Sequence, residues 1–144
     1  MAKTHAGTDA TTDQERTDNA LAVAQRYATA WLGDDLDGIF GCYADTMSLH
    51  YFGNNPFTGD HVGRDAAVAT LLATGALAPR RLVSVDDILA GPGTAVLVTS
   101  EELTEGDTIH RIRRVLRFAI SGDQLTDCWL YEEDQALVDR LWSQ

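Results

Sequence analysis

The stretch Gln25-Arg26-Tyr27-Ala28-Thr29-Ala30-Trp31-Leu32-Gly33-Asp34-Asp35-Leu36-Asp37-Gly38-Ile39-Phe40 decides how the chain begins. Together with Ala20, Leu21 and Ala24 upstream, Tyr27, Ala28 and Trp31 recur at helical spacing, which predicts a helix from about Thr17 to Trp31. Gly33 supplies the stop, and Asp34 or Asp35 can cap a following helix by accepting from its free amides. Leu36, Ile39, Phe40 and Tyr43 then mark one face of that short second helix.

Working outward, Met47–Phe52 reads as a strand and Gly53–Asp60 as turn chemistry rich in Gly, Asn and Pro. A third helix is expected from about Arg64 to Thr74, with Val68, Leu71 and Leu72 as its apolar stripe and Gly75 as its stop. The second half changes character. Arg81–Leu89, Thr94–Leu103, Ile109–Ile120 and Gln124–Glu132 are strand-like, and glycine-bearing hairpin loops separate them. A last short helix is expected over Asp134–Trp142. Helices first and hairpins afterwards imply an α+β fold, with helices on one face of a mainly antiparallel sheet. Residues 17–144 form one domain in this reading, and residues 1–16, rich in Thr, Asp and Ala, form a disordered tail.

The 144 residues are 44% hydrophobic and 23% charged, with a formal net charge of −11. That charge disfavours nucleic acid and anionic membranes, both of which require a basic face. A small lipophilic molecule is the partner easiest to reconcile with it. Cys42 and Cys128 are far apart and without metal spacing, which fits reduced thiols in a cytoplasmic protein. His5 falls in the tail and His61 in a loop, so no metal cluster is expected. Phosphate-loop, nucleophile-elbow and zinc-helix signatures are missing, and any catalysis is expected to need no cofactor.

Gln25-Arg26-Tyr27, Gly33-Asp34-Asp35-Leu36-Asp37-Gly38-Ile39 and Ala44-Asp45 resemble the N-terminal signature of the ketosteroid-isomerase-like branch of the nuclear-transport-factor-2-like (NTF2-like) superfamily. Asn55-Pro56, Gly59, Gly63-Arg64-Asp65-Ala66, Asp134-Gln135 and Leu141-Trp142 look more like its SnoaL-like group, which includes polyketide cyclases. The resemblance implies a curved sheet wrapped around helices as a cone with a pocket at its open end. It makes Tyr27 an oxyanion donor. The position of the isomerase's base falls on Tyr51, with His50 beside it but on the opposite face of the strand. The position of its second, acidic donor falls on Arg114.

The strand face bearing Arg114 also carries His110, Ile112, Leu116 and Phe118. Continued into the last strand, the same face is expected to carry Asp127, Trp129 and Tyr131. An inward arginine demands a carboxylate partner, and Asp127 is the expected one. The opposite parity sends Arg111, Arg113 and Arg117 outward with Glu132. Tyr27, Asp127, Arg114 and His110 are therefore the expected catalytic residues. Tyr51, His50, Trp31, Trp129, Tyr131, Leu116 and Phe118 are the expected substrate contacts. Each histidine also has an ordinary reading as a strand residue.

The resemblance implies a cofactor-free acid–base enzyme of isomerase or cyclase type, acting on a lipophilic oxygenated molecule in secondary metabolism. Epoxide opening, dehydration, or a non-catalytic binding or dimerisation module are the alternatives. A homodimer formed through the convex sheet face is expected.

Overall fold

Ala20, Val23, Ala24, Tyr27 and Ala28 form a buried stripe along helix α1 (Ala2–Leu32), and the three alanines let the helix lie close against the sheet. The computed structural model describes residues 12–144 with their side chains, and of residues 2–11 only that they continue α1. Residues 12–16 are helical with exposed side chains, so α1 starts well before Thr17. Asp13 pairs with Arg16 at 3.8 Å and Gln14 donates to Asp18 at 2.9 Å, local contacts one helical turn apart. The side chains of the remainder of the expected tail lie outside the described residues.

The stop of α1 differs in detail from the expected one. Asp34 N–H donates to Trp31 O (3.1 Å) and Asp35 N–H to Ala30 O (2.9 Å), the two bonds of a Schellman motif. The residue in the left-handed conformation is Asp34 (φ 53°), not Gly33. Asp35 caps α2 (Leu36–Gly41) by accepting from Gly38 N–H at 3.0 Å. A side chain at Gly38 would meet that carboxylate at 2.4 Å, so the cap requires glycine there.

Strand β1 (Tyr43–Tyr51) is followed by β2 (Gly59–Val62), then α3 (Arg64–Leu77). The long hairpins β3 (Arg80–Gly91), β4 (Thr94–Glu105), β5 (Thr108–Ser121) and β6 (Gln124–Glu132) come next, and α4 (Gln135–Trp142) closes the chain. The six strands form one curved sheet in the order β2-β1-β6-β5-β4-β3, antiparallel except where β1 runs parallel to β6. β2 lies where turn chemistry was expected to reach Asp60. It is a four-residue edge strand with mostly exposed side chains, too short and polar to show a strand pattern. α3 runs through Gly75, whose open surroundings let a glycine sit in the helix at a cost of about 1 kcal/mol.

α1 packs on β3, β4 and β5, while α3 packs on β1 and β2. The helices therefore cover one face of the sheet, the α+β arrangement of an NTF2-like cone. Among the described residues no helix is long and apolar enough to cross a membrane.

Candidate functional site

Between the concave sheet face and the helices lies a cavity of about 480 Å³. Leu49, Leu71, Leu116, Leu130, Ile39 and Trp142 make its walls apolar. Its exposed lining residues, Asp34, Leu36, Leu72, Gly75 and Pro79, mark a mouth between the α1–α2 turn and the α3 side of the cavity. This volume suits a molecule of two or three fused rings.

Three phenols supply most of the polarity. Tyr27 reaches in from α1, its ring edge-on to Phe118 at 5.0 Å and to Trp31 at 6.0 Å, and stacked with Tyr43 at 6.4 Å. Its hydroxyl interacts with that of Tyr43. Tyr51 projects from β1 beside Trp142, ring to ring at 5.0 Å. The nearby Thr74 hydroxyl donates to Leu71 O at 3.0 Å and also lies close to the buried Tyr51 hydroxyl, which makes no hydrogen bond of full geometry. Burial raises the pKa of all three phenols, and for Tyr27 the Tyr43 hydrogen bond offsets this only in part. They stay protonated at neutral pH and act as hydrogen-bond donors. Burial likewise pushes the Cys128 thiol up to about 12, so it lines the cavity as a neutral group.

Arg114 lies on the cavity-facing side of β5, as expected, with its side chain only 6% exposed. Its partners are Glu132 at 3.2 Å and Glu101 at 3.6 Å, not Asp127. Arg80, which the sequence reading did not single out, holds Glu132 through two bonds of 3.0 and 3.1 Å and Glu101 at 3.4 Å. Two cations in the cavity wall and two carboxylates beside them thus neutralise each other. Burial alone would lower the Arg114 pKa, but Glu101 and Glu132 more than reverse this and raise it. Burial likewise works against ionised Glu132, yet Arg114 and Arg80 hold its pKa below the ordinary value.

Directly opposed residues share a sheet face, and β5 opposes β6 as Arg114 to Glu132, Leu116 to Leu130 and Phe118 to Cys128. A bulge lies between the pairs Ala119–Asp127 and Ile120–Leu125. Leu125 is buried inside, and unbroken alternation from it would turn Asp127, Trp129 and Tyr131 inward. The bulge inverts the parity and sends all three to the outer face. Glu132, assigned outward in the alternative parity, is therefore inside, whereas Arg111, Arg113 and Arg117 are exposed.

Tyr27, Tyr51, Arg114, Leu116 and Trp31 are brought together around the cavity, and Phe118 packs behind Tyr27. Asp127, His50, Trp129, Tyr131 and His110 are not. His50 stacks on Trp129 at 4.8 Å on the outer face, and Arg117 lies over the same ring at 4.6 Å. Tyr131 stacks on Phe52 at 4.9 Å. His110 pairs with Glu105 at 3.0 Å near the β4–β5 turn, where Glu105 also holds Arg140.

The outer face also carries a pH-dependent tie. His50 bridges Asp60 of β2 (2.6 Å) and Asp127 of β6 (2.9 Å). Burial lowers its pKa, but the hydrogen bonds to the two aspartates outweigh this and leave it above 6.5. Stability from this tie is fully present below pH 6.5 and is lost as pH rises through the folded value. The urea midpoint gap between wild type and His50→Asn is therefore expected to be widest near pH 6 and to shrink by pH 9. A gap that widens with pH would contradict this.

The sequence between residues 24 and 127 matches the family described as the SnoaL-like domain. No curated protein sequence matches the chain. Among solved structures, Bal32a from a soil-derived mobile gene cassette superposes with a TM-score of 0.77 at 17% identity, covering 88% of this chain and 98% of that one. TerC co-crystallised with polyporic acid gives 0.73 at 12% identity, covering 85% and 98%. A proposed SnoaL-like polyketide cyclase from Jannaschia sp. CCS1 gives 0.71 at 11% identity, covering 90% and 95%. These likenesses establish the fold, and the match over most of the chain shows that it belongs to the SnoaL-like domain family of the NTF2-like fold.

Proposed function

We propose that the protein is a cofactor-free acid–base enzyme of isomerase or cyclase type that acts on an uncharged, lipophilic molecule bearing a carbonyl. The carrying observation is Tyr51, a cavity-lining phenol whose buried hydroxyl lies near Thr74 but makes no hydrogen bond of full geometry. An orphaned buried hydroxyl costs about 1–3 kcal/mol, a cost relieved when a ligand oxygen accepts its proton. Tyr27 and Tyr51 would polarise that oxygen as negative charge develops on it, inside a site that excludes water. The arginines favour a neutral ligand over a carboxylate, because Glu101 and Glu132 already neutralise them. Structural likeness to a proposed polyketide cyclase and to a protein crystallised with polyporic acid agrees with an oxygenated cyclic ligand.

The ketone 2-tetralone fits the cavity and tests this reading. Its α-proton exchange in D2O, followed by NMR, is expected to be faster with the protein than with an equal concentration of free aspartate. Leu72→Trp, which fills the exposed mouth, should remove most of the acceleration without unfolding the chain. Binding without acceleration would favour a carrier over an enzyme.

We further propose that two copies pair through the outer sheet face, where Tyr131 and Phe52 are 42% and 41% exposed beside Trp129. Light scattering is expected to give twice the chain mass, and Tyr131→Glu to give the single-chain mass. A single-chain mass for the wild type would contradict pairing.

A further inference from the structure

Helix α3 turns one stripe toward the cavity, and Leu71, Leu72, Thr74, Gly75 and Ala78 all line it. Residues three and four apart share a helix face. Position 75 therefore lies between Leu71 and Leu72 on one side and Ala78, which ends the helix, on the other. All three of these neighbours line the cavity, so a side chain at 75 would project toward its mouth. The residue there is a glycine, and it is exposed.

Nothing in the fold asks for glycine at this position. A Cβ would meet no atom within 4 Å, so no close approach requires its absence. The backbone is helical, and the glycines with positive φ are all elsewhere. Inside a helix, glycine is the least favourable residue after proline, because it gives up the most backbone freedom on folding. Neither a turn nor a packing contact offsets that cost here. What glycine provides at this place is clearance at the rim.

The apolar rim is the second observation. Leu36 and Leu72 line the mouth and are 53% and 54% exposed. They hold aliphatic surface in water on the path by which a ligand enters. A ligand reaching past the rim would cover that surface, and this burial would add to its affinity.

We infer that Gly75 is a specificity-determining residue that sets how long a ligand the cavity accepts, and that the ligand is an elongated lipophile whose far end crosses the mouth between Leu36 and Leu72. The inference rests on the cavity being the ligand site, as proposed above, and is independent of the reaction. The enclosed 480 Å³ takes the ring system, and the gap at Gly75 takes a further ring or an alkyl chain attached to it. The substrate class is thus a neutral fused-ring ketone with a substituent at the end remote from the carbonyl.

The test compares 2-tetralone with 6-phenyl-2-tetralone, which carries the same ketone on a longer frame. Binding is read from the fluorescence of Trp31 and Trp142, both in the cavity lining. The wild type is expected to bind the longer ketone about tenfold more tightly. Gly75→Leu places a side chain in the gap, and it should abolish that preference while binding 2-tetralone within about threefold of wild type. Gly75→Ala and Gly75→Leu should each raise the melting temperature by about 3 °C, since both residues are better helix formers. Greater stability with narrowed ligand choice separates a role in recognition from one in the fold.

A Gly75→Leu variant that keeps the wild-type preference would overturn the inference, because position 75 would then lie off the ligand's path. Lower stability of Gly75→Ala would overturn it as well, since the glycine would be serving the fold. Equal binding of the two ketones by the wild type would end the ligand inside the rim, defeating the inference and leaving the cavity as a ligand site. Binding of neither ketone would sink both readings.

Discussion

Replacing Arg114 by methionine is expected to lower the unfolding free energy by about 3–5 kcal/mol, because it leaves buried carboxylates short of a partner. Glu101 and Glu132 are 0% and 2% exposed and would then share Arg80 alone. Their mutual repulsion, now screened neither by water nor by a second cation, is what makes the loss large. Pairing the change with Glu132→Leu removes one cation and one anion together, so the double variant should recover part of the stability. Urea denaturation at pH 7 measures both. A loss below about 1 kcal/mol for Arg114→Met would place the cluster among the weak surface ion pairs and contradict its role as the rigid back wall. The cluster also predicts acid sensitivity. The Glu132 pKa is lowered in the fold, so its contribution is present above pH 4.5 and fades as pH falls through the folded value.

Tyr27→Phe and Tyr51→Phe are each expected to slow α-proton exchange of 2-tetralone by about 100-fold, the order found when one oxyanion donor is removed. The two variants should differ in stability. Tyr27 loses its interaction with Tyr43, and its removal should be neutral or mildly destabilising. Tyr51→Phe deletes a buried hydroxyl that makes no hydrogen bond of full geometry within the protein, so the variant should be more stable by about 1 kcal/mol. Stability gained together with activity lost is the signature of a group kept for a ligand. If Tyr51→Phe is instead destabilised, its hydroxyl has a structural partner and loses its functional meaning.

Helical periodicity around Tyr27 and the glycine-punctuated hairpins made the architecture legible, and β6 spans the residues that strand propensity marks. Alternation also put Tyr51 and His50 on opposite faces of β1, without deciding which faces inward, and placed Arg114 in the cavity wall. What alternation does not carry is a bulge. A single extra residue near Thr126 reverses every later side chain of β6, exchanging Glu132 for Asp127 inside. Arg80 and Glu101 were not singled out because charged residues in strands usually face water, and only their mutual pairing makes burial tolerable. Asp34 read as an N-cap candidate because Gly33 is the natural stop. The left-handed conformation falls one residue later, on a side chain that composition does not distinguish from its acidic neighbours Asp35 and Asp37.

Under the proposed function, neutral phenols in the cavity hold the oxygen of an uncharged ligand, and the carbonyl 13C shift of bound, labelled 2-tetralone reports that contact. Donation from Tyr51 and Tyr27 should move the signal downfield of its position in an apolar solvent. The Tyr27→Phe/Tyr51→Phe double variant should return it toward that position while still binding the ring. A wild-type signal at the apolar-solvent position, or one unaffected by the double change, would show that the phenols do not meet the ligand and would contradict the account.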